Sequence, residues 1–415
     1  MNELGVTIKK YRKEKKMTLA ELAGNRLTKG MLSLIENGKA QPSMDSLHYI
    51  AERLQVDVAQ LMNDGQNEQL RELLVEMEQQ IDGMRYYYSE SEQDKIMQKM
   101  VVEIEPYIDQ LQGNTFEEVR LLDIYTRVSM HLQKSFNVQQ WYDIIAQYEK
   151  LHVYSWVLRT YTYLALKMFG QKDYLGALAY LKDAEKKMQD YIFLIDDMMK
   201  LDLYYNLTIM HAAVFQKEEA KKYIDLALDI SKTKKLYYRL DDFYRFLFIW
   251  AVEEEDQEKC AYYLRKLKLH AEYSEEEMAQ SFAAYVEIHY ATMIEKDYEK
   301  AETLYQELIQ LKSLHPDLKK SPMLDSERAY AFWCRGMYEE CIEVVKDLVL
   351  PEYQNHPIDL SILYKGFAIR ALCYKELGDI EAAKRDILYA VDGVKEFKQT
   401  IYTDFIQQAY DSIMK

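Results

Sequence analysis

The sequence predicts an all-α protein in two parts, a small N-terminal bundle of five helices and a long right-handed solenoid of helical hairpins. Three observations carry that expectation. Only 13 Gly and 6 Pro occur among 415 residues, which leaves few places for sharp turns. The stretch Thr18 to Pro42, TLAELAGNRLTKGMLSLIENGKAQP, reads as two short capped helices about a tight turn. From about Asn67 onward the chain repeats itself at intervals near forty residues.

The first helix, in GVTIKKYRKEKK, is amphipathic, with Ile8 and Tyr11 inward. Thr18 then stands where an N-cap oxygen takes up free amide hydrogens, and Leu19 and Leu22 begin an apolar face that stops at Gly24. Thr28 caps the next helix. There Leu32 and Ile35 point inward at i,i+3 spacing while Lys29, Gly30, Ser33 and Asn37 fall on the other side, and Asn37-Gly38 ends the helix with residues that tolerate a left-handed backbone. SMDSLHYIAERLQVDVAQLM supplies two further helices and completes a domain over residues 1–62. A polar edge of small residues suits a DNA major groove, so the two short helices form a helix-turn-helix.

Lys9, Lys10, Arg12, Lys13, Lys15 and Lys16, taken alone, read as a solvated helix face. Charge distribution adds weight to DNA binding. Residues 1–62 hold ten Lys and Arg against seven Asp and Glu, and the remaining 353 hold 43 against 62, a net −19 beneath a chain total of −16. A mildly cationic module on an anionic body approaches a phosphate backbone by its small end only.

Residues Leu4 to Met62 resemble the lambda-repressor-like helix-turn-helix family in their apolar core positions, in I-E-x-G at Ile35 to Gly38, in the Pro42-Ser43 entry to the fourth helix and in L-x-V at Leu54 to Val56. The resemblance implies that Lys29, Gly30 and Ser33 take base-edge positions and that Thr18 and Thr28 mark phosphate-contacting helix N-termini. Asn37 and Lys39 join the same DNA-facing set, and Arg12 with Glu36 forms an internal ion pair.

After a linker at 63–70, the body expected over 71–415 contains DYLGALAYLKDAEK, KEEAKKYIDLALDI, QEKCAYYLRKLKLH, DYEKAETLYQELIQ, MYEECIEVVKDLVL and DIEAAKRDILYAVD. Aligned, they place a small residue at Ala177, Ala220, Cys260, Ala301, Cys341 and Ala383, and a small or apolar one seven later at Ala184, Ala227, Leu267, Leu308, Leu348 and Ala390. Small residues let two helices approach closely, and a helix pair unable to bury its apolar face alone stacks on its neighbours. The pattern looks like the tetratricopeptide repeat with longer helices and no closing proline. Six copies are clear, and Asn67 to Leu151, with TFEEVRLLDIYTRV and VQQWYDIIAQYEKL, adds two or three degenerate ones. Cys260, Cys334, Cys341 and Cys373 form no CxxC pair and are expected to be reduced packing residues, with no metal and no cofactor. No apolar run approaches the about 18 residues that span a bilayer and no signal peptide opens the chain, so a cytoplasmic location is expected.

The first helices of such a solenoid line a concave groove that suits an extended peptide. Counting back fourteen residues from each aligned small position gives Tyr163, Asn206, Phe246, Glu287, Glu327 and Ile369, with Arg159, Asp202, Asp242 and Lys365 one turn earlier. Asn206 stands out, because a mid-helix Asn costs helix stability and its carboxamide can satisfy both a donor and an acceptor of a peptide backbone. The other reading of Asn206 is a bond to a neighbouring helix, and most of the 36 Tyr are expected in the core.

A helix-turn-helix joined to long tetratricopeptide-like repeats resembles the peptide-sensing regulators of Gram-positive bacteria, the family named for Rap, NprR, PlcR and PrgX, and is most similar to the NprR branch. That resemblance implies a quorum-sensing transcription regulator, a homodimer on a two-fold operator, switched by a short re-imported signalling peptide and linked to sporulation. Asn206 aligns with the Asn by which family members hold peptide backbone. No HExxH, Gly-rich phosphate loop, GxSxG or metal-spaced His/Cys cluster points to an enzyme. The alternatives are a Rap-like phosphatase, or sequestering partner, of a response regulator, for which any Gln between Gln66 and Gln140 would serve to orient water, and a scaffold merely tethered by DNA.

Overall fold

The computed structural model describes residues 3–58, 61, 65–84, 90–133, 135–310 and 321–415, and every regular element among them is helical. Contacts along the chain divide it into two compact units, Met1–Val153 and Tyr154–Lys415.

The first unit opens with α1 (Glu3–Glu14), α2 (Leu19–Ala23), α3 (Lys29–Glu36) and α4 (Met44–Leu54). Their core is Ile8, Leu22, Leu32, Ile35, Leu47, Ile50 and Leu54. Two glycines permit the packing. A Cβ on Gly5 would stand 2.2 Å from the Ile35 carbonyl oxygen, so α1 presses directly on the end of α3. Gly24, at φ 55°, ends α2 in a backbone that favours glycine, and its Cβ would strike the Tyr49 hydroxyl. Arg12 and Glu36 form the expected ion pair, bidentate at 2.6 and 2.8 Å, and the third arm of the guanidinium holds the Met17 carbonyl. Of the fifth helix expected before Met62, Val58 and Leu61 are helical and the rest lies outside the described residues.

Residues 63 and 64 of the expected linker also lie outside the described set, and Gly65 already begins α5 (Gly65–Gly83). With α6 (Glu90–Ile104), α7 (Phe116–Leu132) and α8 (Val138–Lys150) it builds a second core around Leu70, Met77, Met100, Ile104, Leu121 and Ile124. Asp123, fully buried, accepts from Arg120, Arg127 and Tyr148, which pins α7 to α8.

Among the described residues the second unit holds six helical hairpins. They are α9 (Tyr154–Gly170) with α10 (Tyr174–Asp190), α11 (Asp197–Ala213) with α12 (Lys217–Lys234), and α13 (Leu240–Glu253) with α14 (Gln257–Ser274). Then come α15 (Glu277–Tyr290) with α16 (Tyr298–Gln310), α17 (Pro322–Cys334) with α18 (Tyr338–Val345), and α19 (Pro357–Glu376) with α20 (Ile380–Val394), before a closing α21 (Ile401–Met414). All six aligned small residues are buried, and so are all six positions seven residues later. Five residues before each small position the backbone turns left-handed, at Lys172, Phe215, Glu255, Lys296, Gly336 and Gly378. One residue on, Asp173, Asp256, Asp297 and Asp379 cap the second helix through their carboxylates, so turn and cap repeat with the core.

One hairpin departs from the repeat. MYEECIEVVKDLVL reads as a full second helix, yet α18 stops after eight residues. The buried Arg370 explains the stop. It donates from Nη1 to the carbonyls of Val345 and Lys346, at 2.5 and 3.2 Å, while its Nε holds Asp386 at 2.5 Å. Residues 348–356 then run without helix to α19.

Candidate DNA-reading edge and peptide groove

Thr18 and Thr28 both act as the N-caps expected. The Thr18 hydroxyl accepts from Glu21 N at 3.2 Å while Glu21 accepts from Thr18 N at 2.7 Å, and the Thr28 hydroxyl accepts from Met31 N at 3.1 Å. The start of α3 is therefore fixed, and Thr28, Lys29 and Gly30 are exposed there with Ser33 half-buried one turn on. Asn37 and Lys39 are exposed as well. Asn37, however, donates its amide to the Ser33 carbonyl at 2.7 Å and reaches Ser33 Oγ at 3.4 Å, so it braces Ser33 as much as it faces outward. Sequence reasoning passed over Met31, 45% exposed on the same helix, and Arg26, exposed in the turn with its guanidinium over the Tyr49 ring. An unburied Met beside a polar edge fits a thymine methyl, and its signal was an apolar residue off the Leu32–Ile35 stripe.

In the second unit, α11 and α13 bring the expected Asp202, Asn206, Asp242 and Phe246 together. Asp202 accepts from Arg239 Nε at 2.5 Å and from the Tyr238 hydroxyl at 2.8 Å. Arg239 also reaches Asp242 at 3.0 Å and lies over the Tyr205 ring, and Arg245 completes the row on Asp242. Two carboxylates meet two guanidiniums, so the row is charge-balanced. Asn206 is buried and donates to the Asp202 carbonyl at 2.7 Å, a bond within its own helix rather than to a neighbouring one.

Two groups here were not anticipated. Arg245 Nε and the Tyr285 hydroxyl, on α13 and α15, are buried and have no hydrogen-bond partner among the described residues. Phe282, one turn before Tyr285, lies 4.0 Å beneath the Arg245 guanidinium. Burial pushes the Tyr205 and Tyr285 hydroxyls above their ordinary range. It also pushes the Asp359 carboxyl up, against the opposing pull of His356 and Arg245. Counting fourteen residues back from Ala301, across the Ala291–Glu295 π-turn, lands on Glu287, two residues past Tyr285. Glu287 instead pairs with Lys268 of α14 at 2.9 Å.

Glu327 and Lys365 do not reach a groove surface. Both are buried, in a network where Glu327 stands 2.9 Å from His289 Nδ1 and accepts from Thr292 at 2.8 Å, while Lys365 sits 3.7 Å from the centre of the Tyr330 ring. The C-terminal helix covers this end. Tyr402 lies 3.2 Å from His289 Nε2 and packs with Ile358, Ile362 and Ile249. Arg159 is exposed over Trp156, Tyr163 is half-buried beside Lys167, and Ile369 belongs to the core. The cysteines are free, three buried and Cys334 half-buried, and burial pushes the Cys260 thiol up to about 11.

Residues 8–61 match the helix-turn-helix family. Together with the fold this defines a class of protein, a helix-turn-helix DNA-binding domain followed by a tetratricopeptide-like helical solenoid. Among solved structures the chain is similar to PlcR of Bacillus thuringiensis in complex with the peptide PapR7 and DNA, at 17% identity and TM-score 0.35 over 74% of this chain and 96% of that one. It is similar also to a Rap protein complexed with competence and sporulation factor, at 17% identity and TM-score 0.47 over 84% and 97%. A third is ComR from S. thermophilus in complex with DNA and its signalling peptide ComS, at 18% identity and TM-score 0.31 over 68% and 97%. No curated protein matches the sequence. Among the described residues no helix is long and apolar enough to cross a membrane.

Proposed function

We propose that this chain is a transcription regulator whose DNA affinity is set by a short signalling peptide held against α11, α13 and α15. The observation that carries the reading is a pair of buried, unpartnered donors: Arg245 Nε, in the charge-balanced row Asp202, Arg239, Asp242, Arg245, and the Tyr285 hydroxyl, one turn along α15 from the Phe282 ring that lies under the Arg245 guanidinium. A buried donor without an acceptor costs about 1–3 kcal/mol, and a peptide carbonyl supplies the missing acceptor. Balanced charge means that the groove selects backbone and shape rather than net charge. Dimerisation belongs to the same proposal, since one such domain contacts one half-site.

Asn206→Ala tests the site. Peptides selected on the full chain from a random pool of short sequences should lose about ten- to a hundredfold in affinity, the cost of a peptide group left unpaired. The melting temperature should hold, because the Asn206 amide serves only its own helix and Ala is the better helix former. A destabilised variant with normal affinity removes Asn206 from the site.

A further inference from the structure

The truncation of α18 frees a segment that leaves its own repeat and lies against the first-helix face of earlier ones. Between Pro351 and Pro357 the backbone is without helix, and Glu352 and Tyr353 are exposed, but the end of the segment is held. The Tyr174 hydroxyl donates to the Asn355 carbonyl at 2.8 Å, across 181 residues of sequence. His356 is buried with its ring between Phe169 and Phe246, at 6.3 and 6.0 Å between centroids. Its Nδ1 accepts from Ile358 N and its Nε2 stands 3.3 Å from the Ile209 carbonyl, a contact that a proton on Nε2 makes a hydrogen bond. Phe246 is a residue of the expected groove, and Ile209 follows Asn206 by less than one turn.

A side-chain donor on a backbone carbonyl, a ring in an aromatic slot and a bond to groove backbone are the contacts by which a groove holds an extended peptide. Accordingly, we propose that residues 351–356 are an internal occupant of the groove, and that the signalling peptide, carrying an aromatic or imidazole side chain for the slot between Phe169 and Phe246, binds by displacing them. This rests on the reading of that groove as a peptide site. The segment suits displacement, since it carries no helix and Glu352 and Tyr353 are exposed. Apparent peptide affinity is then lowered by the fraction of chains in which the slot is filled.

The test replaces residues 351–356 of the full chain by a Gly/Ser linker of equal length and titrates it, in a calorimeter, with the free peptide LPEYQNHPI and with the same peptide carrying Ala for His. The vacated chain should bind LPEYQNHPI at least about tenfold more tightly than the parent, and the Ala peptide at least about tenfold more weakly than LPEYQNHPI. Equal affinity in parent and variant, or indifference to the histidine, overturns the internal occupant. Should the linker chain lack a cooperative melt, His356→Ala in the intact chain opens the same slot, and it must show the same gain for LPEYQNHPI or the inference falls. Operator affinity read in the same samples separates the two ideas. Binding in trans with no change on DNA keeps the occupant and removes the peptide switch, whereas no binding removes the occupant and leaves the switch to selected peptides.

Discussion

Ser33 and the lysines of α1 separate reading from mere attraction. Ser33 is half-buried on a capped helix and braced by Asn37, which holds its hydroxyl in place for the proposed contact with a base edge. Ser33→Ala should cost roughly 1–3 kcal/mol on a selected duplex and little on random DNA, measured by titration at fixed salt. Equal losses on both would take Ser33 off the base edge. Lys13 is exposed in the last turn of α1 and Lys16 in the turn that follows it, and if they meet phosphate their removal should weaken all sequences alike and flatten the salt slope by about one unit each.

Glu327 makes a residue-scale prediction about pH. Desolvation alone would raise its carboxyl, but His289 and Lys365 outweigh it and hold the group down at about 2. A carboxyl whose folded value lies below its unfolded value of about 4.5 stabilises the fold fully above that pH, and the contribution is lost as pH falls from about 4.5 toward about 2. The melting temperature of the parent should therefore drop more steeply through that window than that of Glu327→Gln. Parallel profiles would show that the network carries no net coupling. Burial holds Lys365 below its ordinary value.

At the scale of elements, the turn between the two helices of each hairpin is the most regular feature of the solenoid. Four of the six left-handed positions carry a side chain and two carry glycine, Gly336 and Gly378. A Cβ at either glycine meets nothing within 4 Å, so the cost of adding one is backbone conformation alone. Gly378→Ala and Gly336→Ala should each destabilise by about 1 kcal/mol, seen as a lower denaturant midpoint at unchanged slope. Glu255→Gly should move the midpoint the other way or hardly at all.

The same elements show what could be read from the sequence and what could not. Hairpin count, the buried small positions and both N-caps of the helix-turn-helix follow from local chemistry: Ala or Cys where helices touch, Thr where amides need an oxygen. The cap aspartates four residues before four of the six small positions were equally visible and went unread. What escaped depends on contacts distant in sequence. Arg370 ends α18 from 25 residues away, and Tyr402 covers His289 from 113 away. Counting along one repeat therefore placed Glu327 and Lys365 in an open groove, where the structure buries them under the C-terminal helix. Arg245 and Tyr285 were missed for a related reason, since a fixed offset selects one residue per helix.

For the whole molecule, the charge asymmetry and the placement of the groove bear on one question, whether occupancy in the solenoid is felt at the helix-turn-helix. A module of net +3 attached to a body of net −19 gains little long-range attraction to phosphate, so under the proposed switch a modest bias between two arrangements is enough to set occupancy. A peptide can supply that bias only through a difference in its own affinity for the two arrangements, and the effect is reciprocal by thermodynamic necessity. The direct measurement is the affinity of a selected peptide for the full chain with and without its selected duplex, set against the affinity of the duplex with and without the peptide. A peptide-switched regulator predicts the same factor on both sides, about 5- to 150-fold. Identical peptide affinities with and without DNA would contradict it and leave a scaffold tethered to DNA.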